Sequence, residues 1–370
     1  MPGAFAVRYA PPVRIGLFGF PLTGKSKLFE LLTGSPAPVH VGRREGQLGV
    51  AWVPDPRLTQ LAALYKPKKF TPANVEYLDL AGVEKGQAAQ ALPLEQLRVA
   101  DALTHVVRAF RDEAVPHVEG AIDPARDVAT METELILADH TIAERRLEKL
   151  EPLVAKANKE EDRKELELIR RCVAHLEREQ PLRTLEAGAE DRRLLRGFTF
   201  LSMKPLLVAV NADEADAWRL DGGAGAFGLQ ALDGRPSTAV VALSAKIEAE
   251  IAQLEKDEAD AFRLELGLKE PALDRMIRAS YRLLGRISFF TVGEDECRAW
   301  TIHAGTPARQ AAGAVHSDIE RGFIRAEVVG WSELLAAGSW AAARERATLR
   351  LEGKDYVVQD GDVINFRFAV

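Results

Sequence analysis

Short apolar runs and helix-spaced segments alternate through the first third of the chain. Three runs have the composition of buried strands: 13–18, 74–80 and 105–110. Two segments have the apolar spacing of helices: 25–32 and 94–103. This alternation predicts a parallel sheet covered by helices. Two later apolar runs predict that the same sheet resumes after an interruption: 205–210 and 239–243.

The interruption at 126–195 has apolar residues at helical spacing on both sides of the polar segment 158–162. This pattern predicts two antiparallel helices joined by a turn, and Pro152 predicts that the first helix stops or kinks there. The charges between the apolar positions are mixed in sign. Such a surface fits a solvated outer face, and a projecting hairpin can also serve as a contact arm.

The last segment, 287–370, has a different pattern. Residues 288–292 and 298–302 are β-like, residues 315–321 are predicted to be helical, and two strands are expected to flank the turn Asp360-Gly361 near the C-terminus. We expect a small mixed sheet of the β-grasp type. The predicted domains are therefore an α/β domain at 13–125 and 196–286, a helical-hairpin insertion at 126–195, and a β-grasp domain at 287–370.

Composition narrows the possible partners. The chain has 370 residues and a net charge of −6, which argues against binding DNA or RNA by bulk electrostatics, so any RNA contact must be local. No stretch approaches the roughly 18 apolar residues of a membrane span. Its two cysteines, Cys172 and Cys297, do not have metal-ligand spacing. We expect a cytoplasmic protein without a membrane partner.

A phosphate-binding pattern follows the first strand. Residues 19–26 match GxxxxGK[ST] between an apolar strand and a helix, the context in which this pattern forms a P-loop. In such a loop, backbone N–H groups converge on phosphates, Lys25 reaches the β- and γ-phosphates, and Ser26 ligates Mg²⁺. The candidate nucleotide contacts in this segment are Gly19, Pro21, Leu22, Thr23, Gly24, Lys25, Ser26 and Lys27.

Two further segments match elements of nucleotide sites. Asp79 and Gly82 form a DxxG element after a strand, so Asp79 can hold the metal and the Gly82 N–H can meet the γ-phosphate. Val83 follows, where switch GTPases often have a water-orienting Gln. Asn211 and Glu214 form Asn-x-x-Glu in place of the guanine-specific Asn-Lys-x-Asp, whereas the segment that begins at Ser244, Ser-Ala-Lys, favours guanine. The two indications about the base disagree.

With these elements in this order, the chain resembles the YchF, or Obg-like ATPase, family over nearly its whole length. The passages that carry this resemblance most specifically are 53–58, 105–108, 298–302, 310–313, 322–326, 352–356 and 360–362. The resemblance implies a G domain, a coiled-coil insertion and a C-terminal TGS domain. It also implies ATP in preference to GTP, slow hydrolysis, and association with the ribosome, either at the large subunit or through another RNA–protein partner.

The resemblance also assigns residue roles. Asn211, Ala212 and Glu214 correspond to the base-recognition loop, and His117 corresponds to the histidine proposed to replace the missing Gln. A neutral imidazole can orient or deprotonate water, although a lone loop histidine is more often incidental. The chain departs from the family at Arg43, where a Mg²⁺-binding Thr is expected, at Lys27, and at 87–92, where the glycine-rich segment is shortened.

These features support two hypotheses. In the first, the chain is a slow ATPase in which Lys25 stabilises phosphate charge, Ser26 and Asp79 hold Mg²⁺, and His117 positions water. In the second, it is a non-hydrolysing, nucleotide-sensing scaffold that engages the ribosome, as the Arg43 substitution suggests. A GTP-binding protein remains the alternative for the base.

Overall fold

The computed structural model describes residues 13–35, 46–80, 94–113, 115–117, 120–157 and 159–369. The predicted roles of Arg43, Gly82, Val83 and residues 87–92 lie outside this part of the chain. Two compact units are present, one formed by Arg14–Gly49 with Tyr77–Ala279 and the other by Val50–Glu76 with Ser280–Val370. None of the helices in the described residues combines the length and apolar composition of a membrane span.

The first sheet has six strands in the order β2-β4-β1-β5-β6-β7. Its strands are β1 Arg14–Phe18, β2 Gln47–Trp52, β4 Asn74–Asp79, β5 Ala102–Ala109, β6 Leu206–Ala212 and β7 Thr238–Leu243. The pairs β1·β5, β5·β6 and β6·β7 are parallel. Every residue of β6 is buried, as expected for a central strand with helices on both faces. The predicted doubly wound fold class is confirmed.

In the described residues, the segments joined to this sheet contain α1 Lys25–Thr33, the single-turn helix α3 Leu94–Leu97, α6 Ala189–Leu195, α7 Ala245–Ile251, α8 Lys256–Glu265 and α9 Ala272–Leu283. The predicted helix at 94–103 is therefore longer than the observed helix, which ends at Leu97. The chain turns after Leu97 because Asp101 exchanges bonds with Arg14: its carboxylate accepts from the Arg14 N–H at 2.9 Å, and its own N–H donates to the Arg14 carbonyl at 2.8 Å. This pairing starts β5 alongside β1.

The interruption forms the predicted helical hairpin, of α4 Pro124–Ala157 and α5 Glu160–Leu176. The prediction that α4 ends at Pro152 is wrong, because the helix continues for five residues beyond this proline. A proline removes one helical hydrogen bond, and packing against the partner helix compensates here. Leu150 is fully buried in an apolar cluster with Leu166 and Ile169 of α5.

The second sheet has the order β11-β10-β12-β8-β9-β3. Its strands are β3 Lys69–Thr71, β8 Arg286–Thr291, β9 Glu296–His303, β10 Phe323–Gly330, β11 Arg350–Glu352 and β12 Asp362–Phe368. The unit also contains the helices α2 Pro56–Tyr65, α10 Ala308–Val315, α11 Ser317–Arg321, α12 Trp331–Ala337 and α13 Trp340–Glu345. Parallel and antiparallel pairs are mixed, as predicted for a β-grasp sheet.

Two local predictions in this unit need correction. The single helix expected at 315–321 is two helices, because His316 adopts an extended conformation and its ring accepts a bond from the Asp318 N–H at 3.1 Å, capping α11. The strand expected before the Asp360-Gly361 turn is a loop. Tyr356 and the Gln359 N–H both donate to Asp362, each at 2.8 Å, which draws this segment away from a ladder.

Residues 50–76, which we expected in the α/β domain, belong to the compact unit that contains the C-terminal sheet. Strand β3 pairs in parallel with β9. Arg57 at the start of α2 donates to Asp360 at 2.8 Å, and Asp360 in turn accepts from the Ser288 N–H at 3.0 Å. These bonds attach the segment to a sheet more than 200 positions away in the sequence.

Candidate functional site

The segment between β1 and α1 is a tight loop in which two glycines have no room for a side chain. Gly19 and Gly24 have φ angles of 145° and 89°, a region that L residues rarely adopt. A Cβ on Gly19 would lie 2.4 Å from the Val106 carbonyl oxygen, and one on Gly24 would lie 2.3 Å from Asn211 Nδ2. The strand, curled loop and helix follow in the order that a phosphate-binding loop requires.

Asn211 connects this loop to the segments that follow β6 and β7. Its buried side chain donates from Nδ2 to the Thr23 carbonyl at 3.0 Å and accepts at Oδ1 from the Ala245 N–H at 2.9 Å. The Thr23 hydroxyl donates to the Phe20 carbonyl at 3.1 Å. Because these bonds are buried, they fix the loop with little competition from water.

Lys25 begins α1 and is buried close to Asp79, the last residue of β4. Burial lowers the pKa of the Lys25 ammonium, and the charge of Asp79 opposes that shift. Removing an ammonium from water is costly unless an anion compensates. A bound polyphosphate would supply that compensation.

The residues predicted to hold Mg²⁺ are Ser26 and Asp79. Ser26 is the second residue of α1, and Asp79 is fully buried beside Lys25. Both offer oxygen donors, which Mg²⁺ prefers, and protein Mg²⁺ sites commonly combine one or two carboxylates with substrate phosphates. This donor set fits Mg²⁺ bound together with a nucleotide.

A cavity of about 580 Å³ lies next to the loop, within the size range of small-ligand sites. It is lined by Gly24, Lys27, Phe110, Arg111, Asp112, Asn211, Ala212, Asp213, Glu214, Ser244, Ala245, Lys246 and Ala249. The predicted base-recognition residues Asn211, Ala212, Glu214 and Ser244 therefore meet at one place. The other predicted loop contacts do not line this cavity: Gly19, Pro21, Leu22, Thr23, Lys25 and Ser26.

Glu214 and Lys246 form an ion pair in the cavity lining, with Nζ and Oε1 2.7 Å apart. The two segments that gave conflicting indications about the base are thus in direct contact. Glu214 raises the pKa of Lys246, chiefly through the hydrogen bond. The Glu214 carboxylate is engaged by Lys246, whereas guanine recognition needs a carboxylate that accepts from the base.

Arg108 is a residue to which the sequence assigned no role. Its guanidinium is buried in β5 and donates to the carbonyls of Phe110 and Asp112 at 3.1 and 3.3 Å. It also lies 4.5 Å from the centroid of the Phe110 ring. These contacts shape the cavity wall. The sequence could have indicated this role, because an arginine inside an apolar strand is a buried charge that requires specific partners.

His117 lies beside the phosphate loop but contacts an acidic residue. Its ring packs edge-on against Phe20 at 6.3 Å, and Nε2 lies 2.9 Å from Asp127 Oδ2 near the start of α4. Both side chains are almost fully buried. The carboxylate and the ring therefore form a close buried pair next to the phosphate loop.

Full-length relatives identify the family. The "Ribosome-binding ATPase YchF" of Bacillus subtilis is 41% identical over 96% of this chain and 99% of that protein, and the Escherichia coli protein of the same name is 38% identical with the same coverage. This chain belongs to the YchF family. The YchF GTPase structure from Schizosaccharomyces pombe covers 98% of the chain at 29% identity, with a TM-score of 0.85.

The YchF assignment also covers the C-terminal unit. The family model YchF-GTPase_C, described as a protein of unknown function, matches residues 286–369, which include β8 through β12. The predicted family and fold class are therefore confirmed. The roles of individual site residues stay predictions.

Proposed function

We propose that this YchF protein binds ATP in its phosphate loop, hydrolyses it slowly, and associates with the ribosome. The observation that carries the proposal is the curled loop at 19–26, with buried Lys25, next to a cavity of nucleotide size. The names of the relatives, ribosome-binding ATPases, support both activities. Ribosome association would place the protein in the cytoplasm.

The Glu214–Lys246 ion pair supports ATP over GTP. Lys246 occupies Oε1 of Glu214, so the N1 and N2 donors of guanine would have to compete with it for that oxygen. Adenine needs an acceptor for its amino group and a donor for N1, which main-chain groups near Ala212 can supply. The phosphate contacts do not distinguish the bases, so the preference depends on this cavity.

For hydrolysis, Lys25 would stabilise charge on the β- and γ-phosphates, and Ser26 and Asp79 would hold Mg²⁺, which neutralises phosphate charge when bound. His117 would take the place of the water-orienting Gln. His117 Nε2 lies 2.9 Å from Asp127 Oδ2, and a neutral imidazole held there would orient or deprotonate water. Asp127 would act as a positioning residue that holds the ring near the start of α4.

For ribosome binding, the proposed contact regions are the helical hairpin and the C-terminal β-grasp unit. The proposed domains are the G domain at 13–125 and 196–286, the hairpin at 126–195, and the β-grasp domain at 287–370. The large ribosomal subunit is the partner we favour. With a net charge of −6, the protein must rely on local surfaces for such a contact.

A non-hydrolysing scaffold is the second candidate, and the engagement of His117 by Asp127 favours it. An imidazole held in a buried pair could be fixed away from the phosphate site. The two candidates differ in one measurement, phosphate release from ATP by purified protein with and without ribosomes. Release that is abolished by Lys25→Ala supports the ATPase, and tight ATP binding without release, even with ribosomes, supports the scaffold.

Ribosome association is tested separately by co-sedimentation in the presence of ATP, ADP or no nucleotide. We expect the amount of sedimented protein to differ among these states. Equal amounts in all three would contradict a nucleotide-dependent association.

A further inference from the structure

A second cavity, of about 440 Å³, lies in the unit that contains the C-terminal sheet. It is formed by the end of β2, the segment from β3 to the start of β4, and parts of β8, β9 and α10. Its lining shares no residue with the cavity beside the phosphate loop. The function proposed above makes no use of it. We call it the tryptophan cavity, after Trp52 and Trp300 in its lining.

The tryptophan cavity is lined with more positive than negative charge. Among the described lining residues, the cations are Lys69, Arg286 and Arg298, and the carboxylate is that of Glu76. Glu296 lies outside the lining, 3.2 Å from Lys69 and 4.0 Å from Arg298. Even with Glu296 included, the positive charges outnumber the negative ones, three to two. In a chain with a net charge of −6, this is a local concentration that would attract an anion.

The cavity also offers flat surfaces for a planar ring. The Arg298 guanidinium lies 4.0 Å from the centroid of the Trp300 ring, and Trp300 Nε1 donates to Thr291 at 2.9 Å, which fixes the indole. Trp52 is 56% exposed, which is unusual for so large an apolar side chain. Bases stack on aromatic rings and on guanidinium planes, so an exposed Trp and a stacked Arg provide the contacts such a ring needs.

We propose that the tryptophan cavity binds a free mononucleotide, a ligand with one planar base and one phosphate group. The base would stack on Trp52 and on the Arg298–Trp300 stack, and the phosphate would meet the cationic side chains. Asn74 adds an amide group suited to a ribose, whereas the Thr71 hydroxyl donates to Glu296 at 2.6 Å and Thr301 Oγ1 accepts from the Tyr281 hydroxyl at 2.9 Å. A small free ligand is favoured over an RNA strand, because the cavity is small and a net charge of −6 argues against binding a polyanion by bulk electrostatics.

The test measures the affinity of the full-length protein for AMP by equilibrium dialysis, and follows tryptophan fluorescence in parallel. Trp52 and Trp300 report on this cavity, whereas the lining of the cavity beside the phosphate loop contains no tryptophan. We expect Trp52→Ala and Arg298→Gln each to weaken AMP binding about tenfold, the effect of losing one stacking surface. Trp218→Ala is the matched control, since Trp218 is 78% exposed and lies outside both linings.

Two smaller ligands separate the contribution of the base from that of the phosphate. We expect adenosine and inorganic phosphate each to bind more weakly than AMP, because each offers only one of the two groups. ATP binding in the presence of Mg²⁺ should be the same in Trp52→Ala, Arg298→Gln and the original protein, so a failure here leaves the proposed ATPase function unaffected. Arg298→Lys keeps the charge but loses the planar face, and should give an intermediate AMP affinity.

Two results would overturn the proposal. One is the same AMP affinity in Trp52→Ala and Trp218→Ala. The other is binding of a single-stranded RNA oligonucleotide with no binding of AMP. If Arg298→Gln fails to fold, Lys69→Gln replaces it, because Lys69 is largely exposed and its loss leaves the core intact.

Discussion

Lys246 Nζ lies 2.7 Å from Glu214 Oε1, and this ion pair connects the two segments that follow β6 and β7 in the lining of the nucleotide-sized cavity. Both side chains are substantially exposed, 66% and 43%, so the pair contributes little to folding stability. Its consequence concerns the base. Lys246 competes with guanine for Glu214 Oε1, which weakens Glu214 as an acceptor for the base.

Replacing Lys246 should therefore move the base preference toward GTP. In Lys246→Ala the carboxylate is released and can accept from the guanine N1 and N2 donors, so the ratio of GTP to ATP affinity should rise. Competition of both nucleotides against a fluorescent ATP analogue measures that ratio. Lys149→Ala, an exposed substitution on α4, is the control. An unchanged ratio in Lys246→Ala would show that the ion pair does not set the preference.

Removing the Asn211 side chain should weaken nucleotide binding and stability together. Asn211→Ala deletes the bonds to the Thr23 carbonyl and the Ala245 N–H, and leaves both of those groups buried. A buried group left without its partner costs about 1–3 kcal/mol. We expect a loss of that order in the free energy of unfolding by urea, and weaker ATP binding. Asn365→Ala, in the C-terminal sheet, should leave ATP affinity unchanged; equal affinities in both variants would contradict this role.

Asp127 should influence the rate of hydrolysis but not the binding of ATP. In Asp127→Asn the carboxylate beside His117 becomes an amide, so we expect kcat to fall about tenfold with KM unchanged, less than the roughly 10²–10⁴-fold contribution of a general base itself, because Asp127 only positions the ring. His117→Ala and the double variant should have the same rate, because the two residues act as a unit. Glu148→Gln, exposed on α4, is the control. A higher kcat in Asp127→Asn would mean that the pair restrains His117.

His105 should make the protein less stable in mild acid. The ring is buried against Phe18, 4.8 Å between centroids, and burial, with the charge of Lys25, lowers its pKa to about 3. The unfolded chain has the ordinary value of about 6.5, so between those values it binds a proton that the folded chain does not. Stability attributable to this group is then lost as the pH falls, by about 2 kcal/mol between pH 6.5 and pH 5.

Urea unfolding over that pH range measures the effect. The variant His105→Asn should lose less stability on acidification than the original protein, whereas the exposed substitution His303→Gln should behave like the original. If His105→Asn loses as much stability as the original protein, then His105 is not the group responsible.

The sequence predicted the phosphate loop because its residues are contiguous and local rules decide its shape. Gly19 and Gly24 are needed where a side chain would clash, and such positions are visible in a short motif. The sequence also brought Asn211 and Ser244 to the same edge of the sheet, since the carboxyl ends of parallel strands share one edge. Asn211 lies within β6, next to its last residue, rather than after the strand, and Ser244 directly follows β7.

Contacts between distant segments could not be predicted in this way. The Glu214–Lys246 pair and the pairing of β3 with β9 depend on how residues far apart in the sequence meet in space. Pro152 shows a further limit. A local rule against proline in a helix was outweighed by packing of α4 on α5, which the sequence of α4 alone does not reveal.

The most direct test of the account is a titration of purified protein with ATP, GTP and ADP, with and without Mg²⁺, alongside Lys25→Ala. We expect ATP to bind more tightly than GTP, Mg²⁺ to strengthen ATP binding, and Lys25→Ala to weaken it strongly, because a buried ammonium next to the loop stabilises the phosphates. ATP binding that is unchanged by Lys25→Ala would contradict the central claim that this loop holds the nucleotide.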